Sequence, residues 1–316
     1  MPGVLITGAG GFIGSHLAEL CLARGWEVIG TVHESPGNLE PILDRIVAHR
    51  CDVLDAERLR RVLAANDISA VFHLAASSLP LRSWEQPRAT FETNVVGTQV
   101  LLDAVRAERP AATVVVMGSS SEYGAVEPSA VPIPEDAPLA PLHPYGVSKV
   151  AADLLAAAYA RAYALRIIRV RPFFVIGPRK VGDLCSDVAR AIVSAERSGA
   201  GSIKVGTTAP TRDFLDVADA AEALLACATK ATAGDVYNVC SGTGTTVAEV
   251  VERLAALARV ALRIVEDPAR LRPADEPILV GDNRKLVALG WQPTVSLDTS
   301  LARILDYWRG RDTSDS

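Results

Sequence analysis

The sequence predicts an α/β fold: a doubly wound parallel sheet with a smaller C-terminal lobe. Three observations carry this. Apolar, β-branched runs of strand length alternate with amphipathic helical stretches, the pattern of a parallel sheet covered on both faces. The first of these runs leads directly into glycines three residues apart and then into a helix. Beyond residue 172 the elements become shorter and less uniform, which divides the chain into 1–172 and 173–316, with segments near 212–245 returning to the sheet. A chain of 316 residues is long enough for a core domain of about 200 residues with a lobe beside it.

Val4–Thr7 is the first strand, Gly8-Ala9-Gly10-Gly11-Phe12-Ile13-Gly14 the turn, and Ser15–Arg24 a helix with Leu17, Leu20 and Cys21 on one side. Such a unit is a phosphate cradle, because free backbone N–H groups and the positive end of the helix dipole point at whatever sits there. Gly8 permits the turn, Gly11 the close approach of a diphosphate and Gly14 the packing of helix on strand, so a Rossmann-type dinucleotide site is expected, with Phe12 and Ile13 in its loop. Glu27–Val32 reads as the second strand. A carboxylate at its end would select NAD and a basic residue NADP; Val32 can do neither, so the choice between NAD(H) and NADP(H) stays open and His33 is the candidate contact. Ile46–Arg50 reads as the third strand, followed by Cys51, Asp52 and Val53; Asp52 is either an adenine contact or a turn residue, with Val53 beside it.

Asp55–Ala65 is predicted helical, and Ala70–Leu74 is a strand running into His73-Leu74-Ala75-Ala76. Leu74, Ala75 and Ala76 offer a surface for a cofactor backbone, whereas His73 reads as a packed core residue. Thr90–Arg106 is one long helix with Asn94 near its start, and Thr113–Met117 a β-branched strand. The stretch Gly118–Pro144 is loop-like. Pro144–Tyr163 is a helix that is apolar nearly all round, with Val147, Val150, Ala151, Leu154, Leu155 and Ala158 on one face and Ala152, Ala156, Ala157 and Tyr159 on the other. A helix of this kind is buried on both sides, so it is expected to pack on the sheet and on a partner subunit, as in a homodimer. Leu165–Arg171 is a strand, and Arg171–Pro178 ends the regular pattern. A helix near Ser186–Arg197, a strand near Ile203, the segment Arg212–Val217, a helix over Ala218–Ala228, a strand at Val236–Val239 and a helix capped by Thr246 and Glu249 follow. Arg311–Ser316 reads as a frayed end.

Composition excludes several classes. A net charge of −5 without a basic stripe gives no footprint for nucleic acid. The five cysteines and five histidines are scattered without disulfide or metal-ligand spacing. No apolar run approaches the roughly 20 residues that span a bilayer, and no leader pattern precedes the first strand, so a protein of the reducing cytoplasm is expected.

Tyr145 and Lys149 stand four apart and share a helix face. An ammonium there is expected to favour the phenolate, lower the tyrosine pKa from its free value of about 10, and so suit the phenol to proton transfer near neutral pH. Ser119, Ser120 and Ser121 follow the preceding strand and complete a coherent site.

These motifs together resemble the extended short-chain dehydrogenase/reductases that act on nucleotide-activated sugars. The resemblance spans nearly the whole chain: Gly8-x-x-Gly11-x-x-Gly14, His73-Leu74-Ala75-Ala76, Asn94-Val95-x-Gly97-Thr98, the serines before Tyr123-Gly124, Tyr145-x-x-x-Lys149, Arg171-Pro172-Phe173, Arg212-Asp213-Phe214-x-Asp216-Val217 and Gly290-Trp291-x-Pro293. The resemblance implies that Tyr145 is the general acid/base, that Lys149 holds the nicotinamide ribose, that Asn94 belongs to the cofactor site, and that a serine bonds the reacting sugar oxygen. Gapless alignment assigns that serine to Ser119, with Ser120 as the alternative and Ser121 on the substrate side. Dehydratases of the family carry an acid two places after the hydroxyl, where this chain has Ser121; Glu122 would serve only in a register with a deletion. The phrases from Arg171 to Pro178, Val236 to Gly242 and Asp267 to Asn283 look most like GDP-6-deoxy-4-keto-mannose reductases and their dehydratase relatives. The resemblance therefore implies an NAD(P)H-dependent 4-ketoreductase for a GDP-sugar, or else a 4,6-dehydratase or 4-epimerase. Arg212 and Arg272 would meet the diphosphate. Phe174 stands where the family usually has an asparagine that meets the nucleotide-sugar. A purely binding module on this fold would commonly lack the tyrosine and lysine, and both are present.

Overall fold

The computed structural model describes residues 3–267 and 276–311. Seven strands, numbered along the chain, form one all-parallel sheet: β1 (Gly3–Thr7), β2 (Glu27–Val32), β3 (Val47–Arg50), β4 (Ile68–His73), β5 (Thr113–Met117), β6 (Ile167–Pro172) and, after three short strands that lie elsewhere, β10 (Val236–Val239). Their spatial order is β3-β2-β1-β4-β5-β6-β10. The direction of winding reverses between β1 and β4, and a crevice opens beyond the carboxyl ends of the strands at such a point.

Alternate side chains of the strands feed two cores. On one face Val4, Ile6, Phe72, Val115 and Ile168 meet α1 (Phe12–Ala23) and α8 (Val217–Lys230) through Leu17, Cys21, Ala221 and Leu224. On the other, Leu5, Val71, Val114 and Ile167 meet α2 (Ala56–Ala65), α5 (Gly97–Glu108) and α6 (Pro144–Tyr163) through Leu59, Leu63, Leu101 and Ala156. Near-continuous apolar strands in the sequence are thus explained by burial on both sides.

The helix expected over Thr90–Arg106 is present with one change of turn. The short helices α3 (Pro80–Glu85) and α4 (Pro87–Phe91) lead into one wide π turn at Glu92–Val96, after which α5 begins. Asn94 sits in that turn, and widened turns of this type concentrate at functional sites. In α6 one face meets the sheet and the other is open. Ala152, Asp153, Ala156 and Ala157 face the sheet, while Val147 and Leu154 of the larger apolar face are 41% and 55% exposed.

The three intervening strands are β7 (Phe174–Ile176), β8 (Ser202–Val205) and β9 (Thr211–Asp216); they belong with β11 (Gly244–Thr246), β12 (Arg263–Glu266) and β13 (Ile278–Leu279). β9 is flanked by β11 and β13 and also pairs β7, while β8 pairs β12. Helices α7 (Leu184–Ser198), α9 (Val247–Ala256) and, past α10 (Arg284–Val287), α11 (Leu297–Arg309) pack around them through Ile192, Val250, Leu301 and Ile304. The Asp216 and Asp219 carboxylates anchor the C-terminal segment. Asp219 accepts from the Thr294 and Val295 N–H groups at 2.9 Å, its carbonyl accepts from Trp291 Nε1 at 3.0 Å, and Asp216 accepts from Ser300 Oγ. Among the described residues no helix is long and apolar enough to cross a membrane, and no group of three or more His, Cys, Asp or Glu is placed to hold a metal ion.

Candidate active site

The glycine loop forms the floor of the crevice. Gly8 has φ +68°, and a Cβ there would come within 2.8 Å of the Ala75 nitrogen, so both the turn and the contact with β4 require glycine. A Cβ on Gly14 would press on the Gly8 carbonyl and lie 2.9 Å from Ala9 Cα. Gly11 is exposed and caps α1 without a side-chain hydrogen bond, which leaves first-turn N–H groups facing outward. Phe12, Ile13, Leu74, Ala75 and Ala76 line the same region half-buried. A cradle with glycine at the close-approach position and open helix N–H groups fits a dinucleotide diphosphate.

At the neighbouring strand ends, His33 Nε2 lies 3.3 Å from Asp52 Oδ2. Asp52 is also a turn residue, since its Oδ1 accepts from the Leu54 N–H at 2.9 Å. Val53 is buried, and its methyl group fills the space a Cβ on Gly97 would need, at 2.6 Å. Val53 therefore packs against α5, and its side chain is turned toward the protein interior.

Tyr145 stands in the first turn of α6, which Pro144 opens and His143 caps by accepting the Gly146 N–H on Nδ1 at 3.0 Å. Its phenol lies close enough to the Ser119 side chain for that hydroxyl to favour the ionised form. One turn on, Lys149 Nζ donates to the Met117 carbonyl at 2.8 Å, at the end of β5, and lies 5.9 Å from the Tyr145 ring centre. Serine, phenol and ammonium are thus brought together at the carboxyl end of the sheet. The expected lowering of the tyrosine pKa is not what the structure gives. Burial pushes the Tyr145 phenol up to about 12, with the Ser119 side chain opposing, while burial brings the Lys149 ammonium down to about 8 against the pull of Glu122. Desolvation is the largest influence on the phenol, while the Lys149 ammonium is directed at the Met117 carbonyl.

His73 and Asn94 brace this group. Both His73 nitrogens are engaged, Nδ1 with Thr7 Oγ1 at 2.9 Å and Nε2 with Thr98 Oγ1 at 3.0 Å, and burial together with the Lys149 charge pushes it down to about 3. It is a neutral tie between β1, β4 and α5. Asn94 accepts from the Ser77 N–H at 2.8 Å and donates to the Ser77 carbonyl at 3.0 Å and Ser148 Oγ at 2.9 Å. Both amide hydrogens are committed to fastening α6 and the loop after β4, so any part it takes in holding a cofactor runs through its remaining carbonyl capacity.

The serine run forms a tight turn. Ser119 Oγ accepts the Ser121 N–H at 3.1 Å and Glu122 Oε1 accepts the Ser119 N–H at 2.8 Å, a capping box that the spacing Ser119-x-x-Glu122 could have announced. Ser120 is buried and Ser121 half-buried. Glu122 is fully buried and turned toward Arg171, 2.9 Å from its Nε. The carboxylate thus faces Arg171, whereas a dehydratase acid would have to face the substrate.

On the far wall, Phe174 is half-buried edge-to-face on Phe214 at 5.3 Å, across the β7–β9 pair, with Lys180 Nζ 4.9 Å from its ring centre. Arg212 is buried, its Nη2 3.7 Å from Glu276 Oε2, and His143 Nε2 lies 4.0 Å from Glu276 Oε1. Arg272 lies outside the described residues. Sequence reasoning missed the interior network of Glu122, Arg171, Asp153, Tyr123 and Asn238; no local spacing links residues on four different elements.

Comparison with known proteins agrees with this fold. Residues 5–304 match the family described as GDP-mannose 4,6 dehydratase. The chain is 34% identical to the GDP-6-deoxy-D-mannose reductase of Pseudomonas aeruginosa, over 98% of this chain and 97% of the relative. It superposes on the structure of RMD from Pseudomonas aeruginosa complexed with NADPH with a TM-score of 0.87 at 32% identity, covering 99% of this chain and 100% of the other. The Thermus thermophilus UDP-glucose 4-epimerase in complex with NAD matches with a TM-score of 0.88 at 30% identity, covering 98% and 99%.

Proposed function

The chain belongs to the GDP-mannose 4,6-dehydratase family of extended short-chain dehydrogenase/reductases, and from that membership we propose that it reduces a nucleotide-activated 4-keto-6-deoxy sugar with NADPH or NADH. The favoured substrate is GDP-4-keto-6-deoxymannose. One observation carries the reading: Ser119, Tyr145 and Lys149 converge at the end of β5, while Glu122, the nearest carboxylate in sequence, is turned inward. The site supplies a proton donor and lacks an acid at the place where dehydration would need one.

A dinucleotide whose diphosphate is held by the glycine loop would supply the hydride for the C4 carbonyl. Ser119 and Tyr145 hydrogen-bond the keto oxygen, and Tyr145 gives it the proton that completes the alcohol. A phenol held protonated by burial is suited to that acid role. Lys149, as an ammonium beside the phenol and the nicotinamide ribose, stabilises the phenolate left behind. Arg212, and Arg272 by its motif position, hold the diphosphate; His33 and Asp52 lie on the adenine side.

The family's 4-epimerases give a second reading, favoured by the likeness to the Thermus enzyme over nearly the whole chain. Incubation with GDP-4-keto-6-deoxymannose and reduced cofactor separates the two. A ketoreductase consumes nicotinamide absorbance in step with substrate, while an epimerase or dehydratase leaves it unchanged at the end of turnover. We further propose a homodimer through the outer face of α6, where Val147 and Leu154 are joined by Trp84 of α3, 61% exposed. Light scattering that returned a monomer would remove that proposal.

A further inference from the structure

The far wall of the crevice carries a cation that the chemistry above leaves unused. Residues 177–183, between β7 and α7, pass over Phe12 at the start of α1, so that a Cβ on Gly177 would lie 3.4 Å from Phe12 Cε2. Bonds to α1 fasten this loop. His16 Nε2 donates to the Pro178 carbonyl at 3.1 Å, and Arg179 donates to Ser15 Oγ at 3.2 Å and to Glu19 Oε1 at 2.6 Å. Arg179 holds φ +74°, a left-handed conformation that is costly for a side chain and persists where its surroundings enforce it. From the lobe, Ser186 Oγ of α7 donates to the Lys180 carbonyl at 2.7 Å. The backbone of Lys180 is thus fixed from both the cofactor domain and the lobe.

Its side chain is placed as closely. Nζ donates to the Val175 carbonyl of β7 at 2.6 Å and lies 3.3 Å from Asp183 Oδ2, at the start of α7. It stands 4.9 Å from the Phe174 ring centre and 5.6 Å from that of Phe12, so the ammonium sits where the glycine loop meets the β7–β9 wall. The Val175 carbonyl takes one of its three N–H groups and Asp183 lies within reach of a second, which leaves a donor for a bound oxygen. Both partners belong to the lobe, and on the lobe Phe174 stands opposite Phe214 in the β7–β9 register. Arg212, two residues before Phe214, shares that face of β9. Arg212 and Lys180 are thus cations bordering one aromatic wall.

We propose that Lys180 sets affinity for the nucleotide-sugar, its ammonium donating to an oxygen of the diphosphate where that group lies along the Phe174–Phe214 wall. The proposal rests on the nucleotide-sugar reading above and adds to it a residue that supplies charge from the lobe side. A compact ammonium suits a phosphate oxygen, and the Phe174 ring, which offers no hydrogen-bonding group of its own, supports the cation instead. The cofactor diphosphate has the N–H groups of the glycine loop, so the lobe-held ammonium is assigned to the sugar nucleotide.

Full-length variants separate this role from a purely structural tie. Lys180→Gln keeps a donor for the Val175 carbonyl and drops the charge, Lys180→Arg keeps the charge, and Lys180→Met, which drops both, gives the reading should the Gln variant fail to fold. The probes are GDP and UDP, titrated by calorimetry, with reduced nicotinamide followed by fluorescence as a separate arm. For whichever nucleoside diphosphate the unaltered protein binds more tightly, Lys180→Gln is expected to lose about tenfold or more in affinity and to show a flatter dependence of that affinity on salt. Lys180→Arg is expected to stay within about threefold of the unaltered protein, and reduced-nicotinamide affinity within about threefold in every variant. Undiminished nucleoside diphosphate affinity in Lys180→Gln or Lys180→Met would overturn this proposal alone. An equal loss of reduced-nicotinamide affinity would overturn it as well, because the ammonium would then serve the cofactor diphosphate across Phe12. Failure of the unaltered protein to bind either nucleoside diphosphate would overturn the nucleotide-sugar reading and this proposal with it.

Discussion

Removal of a single oxygen, in Tyr145→Phe, tests the proposed chemistry most directly. The ring is held independently of its hydroxyl: it is buried at the start of α6 and stacked on the His143 imidazole at 5.9 Å. The hydroxyl has the Ser119 side chain beside it and anchors no other element, so its loss should change stability by no more than about one hydrogen bond, roughly 0.5–1.5 kcal/mol. Turnover should respond very differently. A positioned general acid contributes about 10²–10⁴-fold, or roughly 3–5 kcal/mol of barrier, and water is a poor substitute in a site closed by Ser119, His143 and the ring itself. The expected outcome is a fall of about a hundredfold or more in kcat with cofactor affinity kept within about threefold. Stopped-flow nicotinamide oxidation gives the first quantity and fluorescence titration the second. A fall of less than about tenfold, or an equal loss of cofactor binding, would refute the assignment of the proton to this phenol.

Other perturbations act on the scaffold around it. Gly14→Ala would push a methyl group against the Gly8 carbonyl and Ala9 Cα, both backbone, so the loop must shift; melting should report a loss of about 1–3 kcal/mol and titration a clearly weakened cofactor. His143→Ala removes the Gly146 acceptor at the start of α6 and should cost about 0.5–2 kcal/mol, whereas His143→Ser should recover most of that in urea unfolding. His73 predicts a pH effect. The unfolded chain takes up its proton near the ordinary 6.5 while the folded chain resists to about 3, so the unfolded state binds more protons in between and stability falls as pH drops through that window. The slope from this group approaches about 1.4 kcal/mol per pH unit, and His73→Gln should show a flatter acid limb in denaturant titrations over the same range.

The parts legible in the sequence are those whose cause is local. Gly8, Gly11 and Gly14 announce their roles because a turn, an approach and a packing contact each exclude a Cβ at a fixed spacing. Tyr145 and Lys149 share a face because a helix makes residues four apart neighbours. Where the cause is packing between distant segments, the pattern is silent or misleading. The phenol pKa was expected to follow the nearby ammonium, yet its direction is set by how completely Tyr145 is buried, and that burial depends on elements remote in sequence. Similarly, the helix expected from Thr90 carries a wide π turn at Asn94, which bonds both Ser77 and Ser148, and nothing within that helix records where those two lie.

Glu122 makes the same distinction bear on function. Its spacing from Ser119 fits two incompatible roles, an acid displaced by one position and a helix cap. The choice depends on β6. Because Met117 pairs with Val170 and the Gly118 N–H bonds the Val170 carbonyl at 2.7 Å, the turn after β5 is set directly beside Arg171. The guanidinium then lies against the turn, buried, and pairs with the carboxylate. The proposed choice of reduction over dehydration rests on this register of two strands. A neutral, longer-range test follows: Arg171→Met, which removes the charge that holds Glu122 inward, is expected to destabilise the fold by about 3–5 kcal/mol without creating dehydratase activity, since Glu122 would still cap Ser119. Appearance of a dehydrated product in that variant would show that the inward carboxylate had been a latent acid, and the strand-register argument would fail.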